Sequence, residues 1–311
     1  MSILVIGSLI IDNTFYVPAL PSRGETAIAS SALTSFGGKG ANQAMAARSS
    51  GGDVHFLCCV GDDSPGKEYR EYLCSHGFDP LALISDGQFS TGSAFLGVER
   101  SGENSIIINP GSNHALRPEH LDANIHLFQQ SGMLLLQLEL PLDTIMHACR
   151  LAREHEVTTL INPSPWSDDF NTVDFPCDIL VMNEHEAASF SGEKEIRLAP
   201  GLLQERQLET IIVTHGAGPT LALTRSQDVV LELKPPCVTA VDTVGAGDAF
   251  TGALAVALSE GQDLARALGF ANAAGALSVT RKGAQGAIAN RKEIESFLSA
   301  LGGEKSPGLT G

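Results

Sequence analysis

A chain of 311 residues, 43% hydrophobic and 18% charged, is long enough for one large α/β domain or two modest ones. Its formal net charge of −16 argues against nucleic acid or an anionic membrane as a partner, and it means that a polyanionic substrate must be held by local dipoles and a counter-cation. No apolar stretch approaches the ~20 residues that span a bilayer, no basic leader precedes residue 3, and Cys58, Cys59, Cys74, Cys149, Cys177 and Cys237 form no C-x-x-C pair, so they read as buried thiols of a cytoplasmic protein.

Along the chain, short apolar runs at 3–7, 54–60, 133–138, 158–161, 179–182 and 210–214 predict buried strands. Between or after them, helical periodicity appears at about 39–50, 64–76, 117–130, 142–155, 183–190, 246–260, 262–280 and 291–301. Continuous apolar strands alternating with helices predict an α/β fold, a doubly wound and mostly parallel sheet flanked by helices. Its ligand crevice should lie beyond the carboxyl ends of the strands. Two segments, about 12–36 and 88–108, alternate as strands without a helix and predict a small antiparallel β layer over that crevice. Such a layer can act as a lid, as a dimer surface, or as both. Residues 1–301 are then one domain carrying this β lid, and the Gly/Ser/Pro-rich 302–311 reads as a disordered tail.

Candidate chemistry appears in several places. Asp12 follows the first strand, where a short acid can bind two adjacent hydroxyls or simply cap a turn. In the run 36–44, Gly37, Gly38 and Gly40 let backbone approach a small ligand, and Lys39 and Asn42 offer hydrogen bonds. The spacing matches neither a Walker A loop nor a dinucleotide turn. Glu139 stands at a strand's carboxyl end, facing the crevice or merely solvent. Asn183 and Glu186 fit a helix-capping box, or alternatively a water-mediated Mg²⁺ site. Lone His185 and His215 read as ordinary hydrogen-bonded histidines.

Residues 242–250 carry the strongest signal. Gly245, Ala246 and Gly247 precede an apolar helical stripe, which makes either a tight strand-to-helix turn or a backbone anion site at a helix N-terminus. Asp248 then sets a carboxylate where a resting phosphate would be repelled. That conflict is resolved if the carboxylate takes a proton from a hydroxyl attacking a phosphoryl group, with the amides serving the transition state.

These pieces, with Asn162 and the 279–285 run in the same order, resemble the ribokinase/PfkB carbohydrate-kinase family over nearly the whole chain. The 37–44 and 279–285 runs look most like ribokinases. The resemblance implies a ribokinase-like fold and ATP-dependent transfer to a sugar's terminal hydroxymethyl, ribose first. It implies Asp248 as base, and Gly245, Ala246 and Gly247 as anion hole. Asp12, Gly38, Lys39, Gly40, Asn42 and Glu139 would bind sugar. Asn183, Thr214, His215, Gly216, Ala217, Gly218, Gly247 and Asn272 would line the nucleotide site. Asn183 and Glu186 would hold Mg²⁺ through waters. An activating K⁺ would sit among Asp242, Val244, Ser278, Arg281 and Gly283. Separately, the β-structure of the lid suggests a homodimer in which each lid packs on the other, and a monomer with a free lid fits the sequence equally well.

Two departures stand out. Ribokinases usually carry proline and serine where this chain has Gly286 and Ala287, which removes one side-chain ligand of the cation. They also carry an asparagine that helps bind the ribose hydroxyls near C2 and C3, and this chain has Ile10 there, which favours a sugar apolar at that point, such as 2-deoxyribose. Two other readings are a nucleoside kinase, with Phe15, Tyr16 or Phe95 stacking on a base, and a non-catalytic sugar or nucleotide sensor.

Overall fold

The computed structural model describes residues 1–172, 176–192 and 200–303. The chain begins with β1 (Ser2–Ile6), β2 (Ile10–Val17), β3 (Ser31–Gly37), α1 (Lys39–Ser49), β4 (Val54–Gly61) and α2 (Ser64–Ser75). It continues through β5 (Leu83–Asp86), β6 (Ser93–Glu99), β7 (Asn104–Asn109), α3 (Pro118–Ala123), α4 (Ile125–Gln130), β8 (Ser131–Leu136) and α5 (Leu142–Glu154). Next come β9 (Thr158–Ile161), α6 (Asp169–Thr172), β10 (Ile179–Asn183), α7 (Glu184–Ser191), α8 (Pro200–Glu205) and β11 (Thr210–Thr214). The last elements are β12 (Thr220–Thr224), β13 (Gln227–Leu233), α9 (Ala246–Ser259), α10 (Leu264–Ser278) and α11 (Arg291–Gly303).

The main sheet has the order β13-β12-β11-β10-β9-β8-β1-β4-β5, parallel from β11 to β5, with β12 and β13 added antiparallel at one edge. Both faces are covered, as the uninterrupted apolar strands require. On β1, Ile3 and Val5 pack with α1, α9 and α10, while Leu4 and Ile6 pack with α5 and its neighbours. Strand order reverses between β1 and β8, since the chain runs from β1 outward to β5 and then restarts at β8. Such a switch point opens a crevice at the strands' carboxyl ends, here beside Ser8 and Glu139.

The second sheet, β3-β2-β6-β7, stands at that end. Its outer pairs are antiparallel, and its central pair, β2 with β6, is parallel. β2 starts at Ile10, so Ile10 and Asp12 share one face of it.

The structure corrects three expectations. The helix predicted over 117–130 breaks at Asn124, whose backbone (φ −113°, ψ 27°) is neither helical nor extended and which ends α3 and begins α4. Cys237 is exposed and Cys74 is half-buried, while the other four cysteines are buried. Of the predicted tail, residues 302–303 close α11 and 304–311 lie outside the described residues. The short β5, the β12–β13 hairpin and α8 escape prediction because none forms a long apolar run. Among the described residues, no helix is long and apolar enough to cross a membrane.

Candidate active site

The N-terminus of α9 is open by construction. Gly245 holds φ at 76°, a left-handed conformation suited to glycine, and a Cβ there would sit 3.0 Å from Ala284 Cα. No side chain caps this helix, and its first-turn amides have no intrahelical acceptor. Gly245, Ala246, Gly247 and Asp248 line a cavity of about 210 Å³, together with Lys39, Asn162, Ser164, Asn183, Glu186, Thr214 and Thr251. Asp242 ties the approach together: its Oδ1 accepts from Val244 N at 3.1 Å and its Oδ2 from Gly283 N at 2.8 Å.

Asp248 is buried, and both its oxygens are held by side-chain amides. Asn42 Nδ2 donates to Oδ2 at 3.0 Å, and Gln43 Nε2 donates to Oδ1 at 2.9 Å. These contacts span more than 200 residues and depend on a close crossing of α1 and α9. One turn beyond Asp248, a Cβ on Gly252 would fall 2.6 Å from Gln43 O and Ala46 Cβ, so glycine sets the helix spacing. The alanines of α1 keep it thin enough to be buried from Gly40 to Ala47.

The 38–42 loop meets the switch point from the other side. Gly38, at φ 89°, lies so close to β2 that a Cβ would reach within 2.7 Å of Leu9 Cα. Ser8 Oγ and Lys39 N both donate to Glu139 Oε2, the latter at 2.9 Å. Burial raises the Glu139 carboxyl above the usual range, and the nearby Asp248 adds to this, against the lowering effect of Ser8 and Lys39. Asp12 is pushed up to about 7, by burial first and by Glu139 second. Three acids and one lysine thus converge beside the uncapped terminus of α9.

Residues 1–291 match the pattern of the pfkB family carbohydrate kinases. The chain belongs to that family. It is 35% identical to the ribokinase of Haemophilus influenzae over 305 residues, covering 96% of this chain and 98% of the relative. It is also 35% identical to the deoxyribokinase of Salmonella typhi over 305 residues, covering 96% and 99%. The structure of Arabidopsis thaliana ribokinase complexed with ribose and ATP superposes with a TM-score of 0.86 at 29% identity, covering 96% of this chain and 98% of that one.

In this carbohydrate kinase, the sequence-selected Asp248, Gly245, Ala246, Gly247, Lys39, Asn183, Glu186 and Thr214 share one cavity, Asn42 and Glu139 adjoin it through Asp248 and Lys39, and Asp12 lies near Glu139. His215, Gly216, Ala217, Gly218 and Asn272 are not in its wall; His215 and Gly218 form a tight turn, Gly218 N to His215 O at 2.7 Å. Asn183 and Glu186 do form the capping box, with Asn183 N donating to Glu186 Oε2 at 2.9 Å, and both still face the cavity. Sequence reasoning missed the amides behind Asp248. Gln137 Nε2 donates to Gln43 Oε1 at 2.7 Å, and Gln43 Nε2 also reaches Asn162 Oδ1 at 3.0 Å. The available signal was a polar amide amid the small residues of α1.

Asp12 makes the kinase's stability depend on pH in a defined sense. Its carboxyl titrates near 3.8 when unfolded and near 7 when folded, so folding favours the protonated form. The stability it contributes is complete below about pH 3.8 and is lost as the pH climbs through 7. Relative to the parent, Asp12→Asn should therefore gain roughly 2–4 °C in Tm between about pH 5 and pH 8. Thermal melts of both proteins across that range check this; a constant or shrinking difference contradicts it.

Proposed function

We propose that this kinase transfers the γ-phosphoryl group of ATP to the terminal hydroxymethyl of a pentose, ribose to ribose 5-phosphate being the first reading. The observation that carries it is Asp248, a buried carboxylate clamped by two amides at the uncapped start of α9. In this reading Asp248 accepts the proton of the attacking hydroxyl. The amides of Gly245, Ala246, Gly247 and Asp248, with Lys39 beside them, take up the charge of the phosphoryl group in flight. Asp12, Gly38, Lys39, Gly40, Asn42 and Glu139 hold the sugar.

Thr214, His215, Gly216, Ala217, Gly218 and Asn272 line the nucleotide's path; the buried Asn272 Nδ2, which has no hydrogen-bond partner among the described residues, supports a ligand there. Asn183 and Glu186 suit Mg²⁺ held through waters, since the helix cap takes up Asn183 Oδ1 and Glu186 Oε2 and leaves the second carboxylate oxygen of Glu186 for a bound water. Asp242, Val244, Ser278, Arg281 and Gly283 suit K⁺, whose charge would steady the 242–247 turn; Asp242 already joins the two loops involved. Ala287 offers that cation no side-chain oxygen.

We also propose that the β2-β3-β6-β7 sheet is a lid, that the 1–301 unit acts as one domain, and that two lids pack into a homodimer. Exposed Tyr16, Leu33, Ile106 and Ile108 on the Asp12 face of that sheet support the pairing. A monomer in sedimentation at micromolar concentration contradicts it. The six free thiols support a cytoplasmic setting.

ADP release measured over pentoses, deoxypentoses, hexoses and nucleosides, with and without K⁺, tests the reading. Turnover on ribose or 2-deoxyribose is expected, and no sugar-dependent release with any of them overturns it. The second reading, 2-deoxyribose as the preferred acceptor, is favoured by Ile10.

A further inference from the structure

Beyond Asn42, a hydrogen-bond chain continues through two residues outside the sugar, nucleotide and metal sets. Gln285, buried in the turn before α11, donates one N–H of its amide to Asn42 Oδ1 at 3.1 Å and the other to Tyr69 Oη at 2.7 Å. Tyr69, fully buried on α2, passes its own proton to the carbonyl of Gly37 at 2.6 Å. Gly37 is the last residue of β3.

The chain has acceptors at both ends: a backbone carbonyl at Gly37 and a carboxylate at Asp248. Neither end can donate when Asp248 is ionised. The Tyr69 proton is committed to Gly37, so its lone pair must receive Gln285 N–H. The remaining N–H of Gln285 must then meet the oxygen end of Asn42, which turns the amino end of Asn42 toward Asp248. No amide in the series can flip without setting like against like, donor on donor at a turned Asn42 or acceptor on acceptor at a turned Gln285.

We infer that Tyr69 and Gln285 are positioning residues for the reaction. They lock the Asn42 amide so that it orients the base, and they tie that orientation to the end of lid strand β3. The inference rests on the kinase reading above. Phe36, the residue before Gly37, packs its ring 4.5 Å from that of Tyr69, so the same strand end is held by apolar contact as well.

The test compares the parent, Tyr69→Phe, Gln285→Met and the double variant in steady-state kinetics, with thermal melts alongside. Each single variant is expected to lower kcat about 5- to 20-fold with the KM for ATP within about twofold. The double variant should be no slower than the worse single one, because both break one chain. Unchanged kcat in folded single variants overturns the inference, as do losses that multiply in the double variant. If Tyr69→Phe does not fold, Gln285→Met alone decides by the same kcat criterion. A parent without turnover on any sugar refutes the kinase reading itself, and the positioning role falls with it.

Discussion

Asp248→Asn is expected to lower kcat by about 10³-fold while the protein still binds its sugar. In the proposed reading the substitution removes the group that accepts the hydroxyl proton, and a positioned base contributes typically 10²–10⁴-fold. It leaves the first-turn amides of α9 and the 38–42 loop in place, so positioning and charge stabilisation survive and residual turnover persists. The change is not silent structurally. Both carboxylate oxygens accept amide N–H groups, from Asn42 and Gln43, and an amide in place of the carboxylate must point its own NH₂ at one of these donors. Gln285 fixes the orientation of Asn42, and Asn162, itself anchored by donating to Val181 O, fixes that of Gln43, so neither can turn to relieve the conflict. One buried donor is left facing another, at roughly 1–3 kcal/mol. The variant should accordingly melt a few degrees lower. ADP release, calorimetric titration with sugar and a thermal melt measure the three consequences. A kcat within tenfold of the parent would show that some other group takes the proton.

That network also marks the boundary of what a sequence can disclose. The strands β9 and β11 are legible to the residue, because Thr158 to Ile161 and Thr210 to Thr214 are short apolar runs between helices. The open start of α9 is legible for a related reason. Gly-Ala-Gly followed by an acid and an apolar stripe is a local pattern with a local physical meaning. Gln43, Gln137, Gln285 and Tyr69 give no such signal. They lie on four separate stretches of chain, and only the approach of α1 to α9 at Gly252 and the fold of α2 over β3 bring them together. Each looks alone like an ordinary polar residue. The Asn124 break is a subtler miss: helical periodicity continues across it, and one backbone conformation divides the segment. Sequence reading thus reached Asp248 and much of the cavity wall around it, and not the residues that aim it.

Which sugar those atoms meet turns on Ile10, and Ile10→Asn is expected to raise the ratio of kcat/KM for ribose over 2-deoxyribose about 10- to 100-fold. Overall identity does not decide between the two sugars, since a ribokinase and a deoxyribokinase are equally similar to this chain at 35%. In our reading local geometry does. Ile10 is 4% exposed and opens β2 two residues before Asp12, so the pleat sets both side chains on one face. Opposite it in the register is Gly37, and Gly38 closes over its backbone nitrogen, so the position cannot move away from the 38–42 loop proposed to hold the sugar. An apolar wall there strips water from a hydroxyl and returns no hydrogen bond, a cost of about 1–3 kcal/mol that a deoxy sugar avoids. An asparagine inverts the preference, because its buried amide is satisfied by a hydroxyl and stranded by its absence. Most of the change should therefore appear as lost activity on 2-deoxyribose together with gained activity on ribose. Asp12 lies on the same face and should hold whichever hydroxyls remain in both proteins. If the ratio is the same in parent and variant, backbone or lid groups satisfy that hydroxyl and Ile10 does not select the substrate.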